Sequence, residues 1–234
     1  MIIAQMFRVF TDAYGNCGDK ASIVIDEGRH ISDKKRQAIA RKLNTGETIF
    51  INNIKNAEIS VMHPQGEISF AGVGGLGTAW FLTKLHGKSV EKLIGRDGDI
   101  VIIQEENIIW VRVSVEKLPQ WNIKRVDKVS DVESIKLEET SDMKHMIVWS
   151  WIDEAKGFIR ARTFATDWEI PEAQGNGSGA MLLATILRRS IEVKHGEGSV
   201  IFARLVQNNG VEVGGRVIQE ADILVSKKFI REEL

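Results

Sequence analysis

Two runs of small residues offer the first chemistry in this sequence. Gly72-Val73-Gly74-Gly75-Leu76-Gly77 precedes the apolar stretch Thr78 to Leu85, and Gly175-Asn176-Gly177-Ser178-Gly179 precedes Ala180 to Leu187. The first turn of a helix carries backbone N–H groups with no intrahelical acceptor. Its partial positive charge favours a nearby anion by about 0.3–1 kcal/mol. Glycine and serine let a ligand come close to that backbone. Two such starts facing one cleft would hold a carboxylate from two sides and stabilise the enolate-like charge that develops when a neighbouring carbon loses a proton. Gly72, Val73, Gly74, Gly75, Gly177, Ser178 and Gly179 are therefore the candidate anion-binding residues. A tight turn or close helix packing is the plainer use of the same glycines.

Glu47 is a carboxylate that could take part in proton transfer. It follows Gly46 at the end of a helical stretch and stands before the apolar strand Thr48 to Ile51, a position expected at a cleft edge. Partial burial there would raise its pKa toward neutrality and suit it to take and return a proton. A solvated glutamate at a strand end is the other reading. Glu172 offers a second carboxylate or a surface loop charge, and Trp168, in the same loop, is placed as a pocket-lining residue. Cys17 has no neighbour in sequence that would lower its pKa and is read as a passive loop cysteine. His30, His63, His86, His145 and His195 are scattered without a ligand partner at i+3 or i+4, so no metal site is expected. Gly72 to Gly77 also fits the dinucleotide pattern G-x-G-x-x-G, but no buried strand leads into it and no βαβ series follows.

The elements that must position these groups read as many strands and few helices, which points to an α+β fold. Strands are expected at Met6 to Phe10, Ala21 to Ile25, Thr48 to Ile51 and Ala57 to His63, with a hairpin over Ile100 to Val113. A helix opens at Ser32, its expected N-cap, and buries Ala38, Ile39 and Leu43. The helix from Thr78 is expected to bury Ala79, Leu82 and Leu85. Pro119 to Lys144 is polar and irregular. Strands resume at Met146 to Trp151 and Phe158 to Phe164, and again from Val200 to Val225. The two halves echo one another: Ala57 to Pro64 and Phe158 to Ala165 each lead through a loop to a small-residue run and an apolar helix. A duplicated lobe is the simplest source of such an echo. Residues 1–115 are assigned to an N-terminal lobe and 116–216 to a C-terminal lobe, with 217–234 a candidate return to the first.

Lys and Arg (31) nearly balance Asp and Glu (32) and are mixed with them along the chain, so no nucleic-acid partner is expected. One cysteine rules out an intrachain disulfide and fits a reducing cytoplasm. No apolar run reaches the roughly 20 residues that span a bilayer, so no membrane partner is expected.

In order along nearly the whole chain, short blocks resemble the PhzF-like family, named for phenazine biosynthesis, whose fold is that of diaminopimelate epimerase. Gly18 to Asp26 is similar to the family's GNPAAVVLD, Gln37 to Ile51 to QAIAREMNLSETTFV, and Phe70 to Ala79 to FAGHPTLGTA. Arg162-Thr163-Phe164 with Glu172 to Ala180 resembles RMF and EDPATGSAA, and Val211 to Gly215 the closing strand. The resemblance implies two similar lobes, each a curved, mostly antiparallel sheet around a central helix, and commonly a homodimer. It implies isomerisation or epimerisation of a small carboxylic acid by proton transfer, without metal or cofactor, and it matches Glu47 to the family's proton-shuttling acid. Three positions depart: the family histidine is Val73, an aspartate is Ala173, and an asparagine is Asp19, which joins the possible site residues. Two readings follow. One is a cofactor-independent isomerase or epimerase with a degenerate site; the other is a catalytically inactive small-acid-binding protein on the same scaffold.

Overall fold

The structure, a computed structural model, describes residues 1–68 and 72–226. Phe70 and Ala71, in the block similar to FAGHPTLGTA, and 227–234, in the candidate returning segment, lie outside the described residues. The chain divides into two compact units. One comprises Met1–Val9, Lys20–Val111 and Val217–Leu234; the other comprises Phe10–Asp19 and Arg112–Arg216. The ten residues Phe10–Asp19 group with the second unit because Phe10 packs where Gly175, Gly177 and Gly215 leave room for its ring, and the Gly18 N–H donates to Ser199 Oγ.

In the first unit, strands β1 (Ile2–Thr11), β2 (Asp19–Ile25), β3 (Glu47–Asn53), β4 (Glu58–His63), β5 (Gly66–Ile68), β6 (Lys92–Gly95), β7 (Gly98–Glu105) and β8 (Ile108–Ser114) accompany helices α1 (Asp33–Leu43) and α2 (Gly72–His86). β2 and β3 pair in parallel across the α1 crossover, as a parallel pair requires a long connection. β3–β4, β4–β5 and β6–β7 are antiparallel, and β4 and β6 are parallel on either side of α2. α1 packs Ile39 and Ala40 with Ala4, Val24, Phe50 and Met62 in one core cluster.

α1 does not take its expected cap. Ser32 stands at the N-cap but its side chain makes no capping hydrogen bond. Asp26 instead accepts from the N–H groups of His30 and Ile31 and pairs with Arg36, whose side chain is wholly buried on α1. A carboxylate that organises the turn and neutralises a buried guanidinium leaves the serine little to add.

In the second unit, strands β9 (Asn122–Arg125), β10 (Met146–Asp153), β11 (Phe158–Ala165), β12 (Ile170–Ala173), β13 (Ile191–His195), β14 (Ser199–Val206) and β15 (Gly210–Gln219) accompany helices α3 (Val129–Glu133) and α4 (Gly177–Leu187); the short strand β16 (Ile223–Val225) pairs with β1 in the first unit. The pairing sequence is the one just described. β9–β10 is parallel across α3, β10–β11 and β11–β12 are antiparallel, β11–β13 is parallel on either side of α4, and β13–β14 is antiparallel. Even the irregularity recurs: the register shifts between Ile51 and Asn53 in one unit and between Trp151 and Asp153 in the other. The turns that follow match too. Asn53 Oδ1 accepts from the Asn56 N–H and Asp153 Oδ1 from the Lys156 N–H, and both turns end in the left-handed region, at Ala57 (φ 55°) and Gly157 (φ 77°).

Three local expectations change. The glycines expected before the first apolar helix lie inside it, since α2 begins at Gly72. Glycine disfavours a helix interior by about 1 kcal/mol against alanine. Here close packing outweighs that: a Cβ on Gly75 would sit 3.0 Å from Val111 Cγ2, and one on Gly77 3.7 Å from Val9 Cγ2. Leu85, expected inside, is 51% exposed near the end of α2. The stretch Pro119 to Lys144, expected to be irregular, contains β9 and α3. α3 buries only Val132 of its own residues and is held from β11, where Arg162 Nη1 donates to the carbonyls of Val132 and Ile135. No described helix is long and apolar enough to cross a membrane.

Candidate active-site elements

In the first unit, Glu47 opens β3 with its side chain half-buried. Its Oε2 accepts from the Gly74 N–H, in the first turn of α2, at 2.5 Å. The backbone donor at the helix start fixes the carboxylate's position. Gly74 is therefore not an open donor: its N–H is committed to Glu47. Val73 is buried, 7% exposed, and offers no polar group. The strand leading into α2 is β5, which pairs antiparallel with β4, so the dinucleotide-binding arrangement of a parallel strand running into the glycine turn is not formed.

The closeness of this contact leads to a prediction. A Cβ on Gly74 would lie 2.8 Å from both Glu47 Oε2 and Ile49 Cγ1, and Ile49 is fully buried. Gly74→Ala should gain up to about 1 kcal/mol of helix propensity but lose about 1–3 kcal/mol to overpacking. A net fall in urea-unfolding free energy is expected, together with displacement of Glu47; a more stable protein would show that the helix start has room to spare.

In the second unit, Asn176 caps α4. Its Oδ1 accepts from the Gly179 N–H at 2.7 Å and from Ser178 Oγ at 3.1 Å. Among the described residues, no hydrogen bond uses the N–H of Gly177 or Ser178, so the first turn keeps two donors in reserve. Trp121 Nε1 donates to Ser178 Oγ at 3.0 Å. Asp19 approaches the same turn: a Cβ on Gly175 would stand 3.2 Å from Asp19 Oδ2.

Glu172 is committed elsewhere. Its two oxygens accept from Arg162 Nε and Nη2 at 2.8 and 2.7 Å. This fork-to-fork pair joins β12 to β11 and raises the pKa of the arginine. Trp168 stands with its ring centroid 3.7 Å from that of His145 and 5.7 Å from that of Trp121. Trp121, His145, Leu182 and Ile186 are among the residues lining a cavity of about 620 Å³; Trp168 is not among them and is exposed. His145 Nδ1 pairs with Asp167 at 2.8 Å. Cys17 Sγ lies 3.5 Å from the Glu197 carbonyl. His63 ends β4, where burial lowers its pKa and Nδ1 accepts from the Gln65 N–H. No cluster of possible metal ligands occurs among the described residues.

The sequence reading missed the residues behind α4. His195 is 2% exposed, and burial pushes its pKa down to about 4. Its Nε2 meets Thr163 Oγ1 at 2.8 Å, and Thr163 Oγ1 accepts from Asn176 Nδ2 at 3.2 Å. An asparagine just before a Gly-Ser run is a recognised N-cap signal; nothing in the sequence pointed to the histidine behind it.

Because His195 resists protonation when folded, protons favour the unfolded chain. The resulting penalty is absent above pH 6.5, grows as pH falls toward about 4, and then levels off. At about 1.36 kcal/mol per pH unit it reaches roughly 3 kcal/mol. The unfolding free energy of the native chain should fall by about that much more than that of His195→Gln between pH 7 and 4; equal losses would remove the assignment.

The family profile described as phenazine biosynthesis-like protein (PhzC-PhzF) matches residues 7–156. Solved structures share the fold. A phenazine biosynthesis PhzC/PhzF protein of Clostridium difficile is similar at TM-score 0.76 and 17% identity, covering 97% of this chain and 100% of that one. A PhzF-family protein of Bacillus anthracis gives 0.76 at 16% identity, covering 96% and 99%. A hydroxyproline epimerase of Agrobacterium vitis, solved with trans-4-hydroxy-L-proline, gives 0.53 at 14% identity, covering 95% and 91%. With the profile spanning well over half of its length, the chain belongs to the PhzC-PhzF family of phenazine biosynthesis-like proteins.

Proposed function

We propose that this protein is a cofactor-independent isomerase or epimerase of a small carboxylic acid, with Glu47 as its acid/base. The observation that carries the reading is the half-buried Glu47 carboxylate held on the backbone N–H of Gly74 at the start of α2. Glu47 takes the proton from the carbon next to the substrate's carboxylate. The electron pair left behind moves onto the substrate's carboxylate oxygens until the proton is returned. In the second unit, the turn that starts α4, with the N–H groups of Gly177 and Ser178, is an acid-binding element. The net reaction relocates or re-adds a hydrogen and needs no electron acceptor. Family membership and the epimerase among the structural neighbours agree with this class.

The repeated strand pairing supports two similar lobes, each with a helix packed on a curved sheet, descended from one duplicated unit. The duplication also supports a single acid. Gly74 and Gly179 are each the third residue of their helix. A Cβ on Gly74 would strike Glu47; one on Gly179 would strike Ile147, which opens β10's buried run as Glu47 opens β3. Where the first lobe carries a carboxylate, the second carries a hydrocarbon.

The second reading, a small-acid-binding protein without turnover, is favoured by the apolar residues Val73 and Ala173 and by the engagement of Glu172 with Arg162. One experiment separates the two. The protein is incubated in D2O with small amino and hydroxy acids, beginning with trans-4-hydroxy-L-proline, and carbon-bound deuterium is read by mass spectrometry. Incorporation into any acid at an enzymic rate establishes proton transfer. Acids that raise the melting temperature yet gain no deuterium establish binding alone.

A further inference from the structure

The turn that starts α4 is backed by a line of buried polar side chains, and the direction of every hydrogen bond along it can be worked out. The Gln174 carbonyl can only accept, so His195 Nδ1, 3.3 Å away, carries the proton. Neutral imidazole then presents an unprotonated Nε2 to Thr163. The Thr163 O–H therefore donates to His195 Nε2 at 2.8 Å, and its oxygen accepts from Asn176 Nδ2 at 3.2 Å. That leaves Asn176 Oδ1 facing the other way, accepting from the Gly179 N–H and from Ser178 Oγ, while Ser178 accepts in turn from Trp121 Nε1. Thr163 is fully buried, and Asn176 is 7% exposed, so water cannot substitute for a missing partner.

An asparagine amide is nearly symmetric in shape, and only its neighbours decide which end is oxygen. Were it turned over, Nδ2 would confront the Gly179 N–H, two donors would meet, and the cap would be lost. We propose that Thr163 and His195 are positioning residues for the acid-binding turn, holding Asn176 in the one amide orientation that caps Gly179 and leaves the Gly177 and Ser178 N–H groups for a carboxylate. This rests on the reading of that turn as the acid-binding element. The pair acts through Asn176 and touches no ligand itself.

The surroundings keep the imidazole neutral. Burial does most of this; Arg160 on β11, which donates to the Ala161, Lys194 and Gly196 carbonyls, and Arg162 add to it, against the Gln174 hydrogen bond and Glu172 on β12. α4 carries no charged residue, and β14 sets Ser199 opposite His195. Protonation at Nε2 would make Thr163 accept from both neighbours and strip its own O–H of its acceptor.

The test uses acetate as the probe and the full chain at pH 7, following the amide signals of Gly177 and Ser178 by nuclear magnetic resonance. In the native protein these two signals should move and saturate. Thr163→Val, which keeps shape and removes the hydroxyl, should weaken acetate binding tenfold or more, and Thr163→Ser should return it to within about twofold. Equal affinity in Thr163→Val overturns the positioning role while the acid-binding turn stands. No movement of either signal in the native protein overturns the acid-binding turn itself and the inference with it. Should Thr163→Val fail to fold, the native protein still decides: a long-range nitrogen–proton spectrum should show His195 as the Nδ1–H tautomer, and an Nε2–H tautomer overturns the proposal.

Discussion

Glu47→Gln is expected to slow exchange of the substrate's carbon-bound hydrogen by about 10³-fold, within the range supplied by a positioned acid/base, while ligand affinity stays within a few-fold of native. Glutamine is the informative replacement because its Oε1 still accepts from the Gly74 N–H, so the start of α2 stays packed. What disappears is the group proposed to exchange a proton. Glu47→Asp keeps the group but draws it back by one methylene, and a displacement of about 1 Å is enough to lose roughly 100-fold. The order native, Asp, Gln in deuterium incorporation is the expected pattern. A Gln variant as active as the native protein would move the chemistry to another residue.

The largest effect on stability is expected at Asp26→Ala. Arg36 has no exposed surface, its guanidinium lies 4.8 Å above the Phe50 ring, and Asp26 is the carboxylate within reach of its Nε and Nη2. Removing one partner of a buried ion pair leaves the other charge without compensation and costs about 3–5 kcal/mol. Asp26 also caps the turn before α1 through the His30 and Ile31 N–H groups, which places the loss at the upper end. Chemical denaturation should give that fall. The double replacement Asp26→Leu with Arg36→Met should recover a large part of it, because no charge is then stranded; a double variant as weak as the single one would show that the turn, and not the charge, is what Asp26 secures.

Much of the architecture could be read from local signals. The strands around residues 57–63 and 158–165 carry dense apolar residues, and the turns before them use Asn53 and Asp153 with Ala57 and Gly157 in the left-handed region, so the echo survived low identity. Glu47 stood out through its match to the family's acid, at the head of an apolar strand and just after a glycine. What escaped was set by distant partners. The start of α2 is decided by Val111 and Ile49, not by glycine propensity, and α3 persists because Arg162 reaches across from β11. Glu172 looked available until its bidentate partner ten residues earlier in the chain came into view. His195 looked idle because its value lies in a hydrogen-bond direction, which no spacing rule records.

The tie between Glu47 and α2 has one more consequence. The opening turn of that helix is built from Gly72, Val73, Gly74 and Gly75, a stretch that would fray on its own. Slow amide exchange there must be borrowed from what presses against it, and one of those supports is a side chain whose charge changes with each proton it carries. Amide exchange at Gly74 is therefore expected to report on whether the Glu47 contact is made.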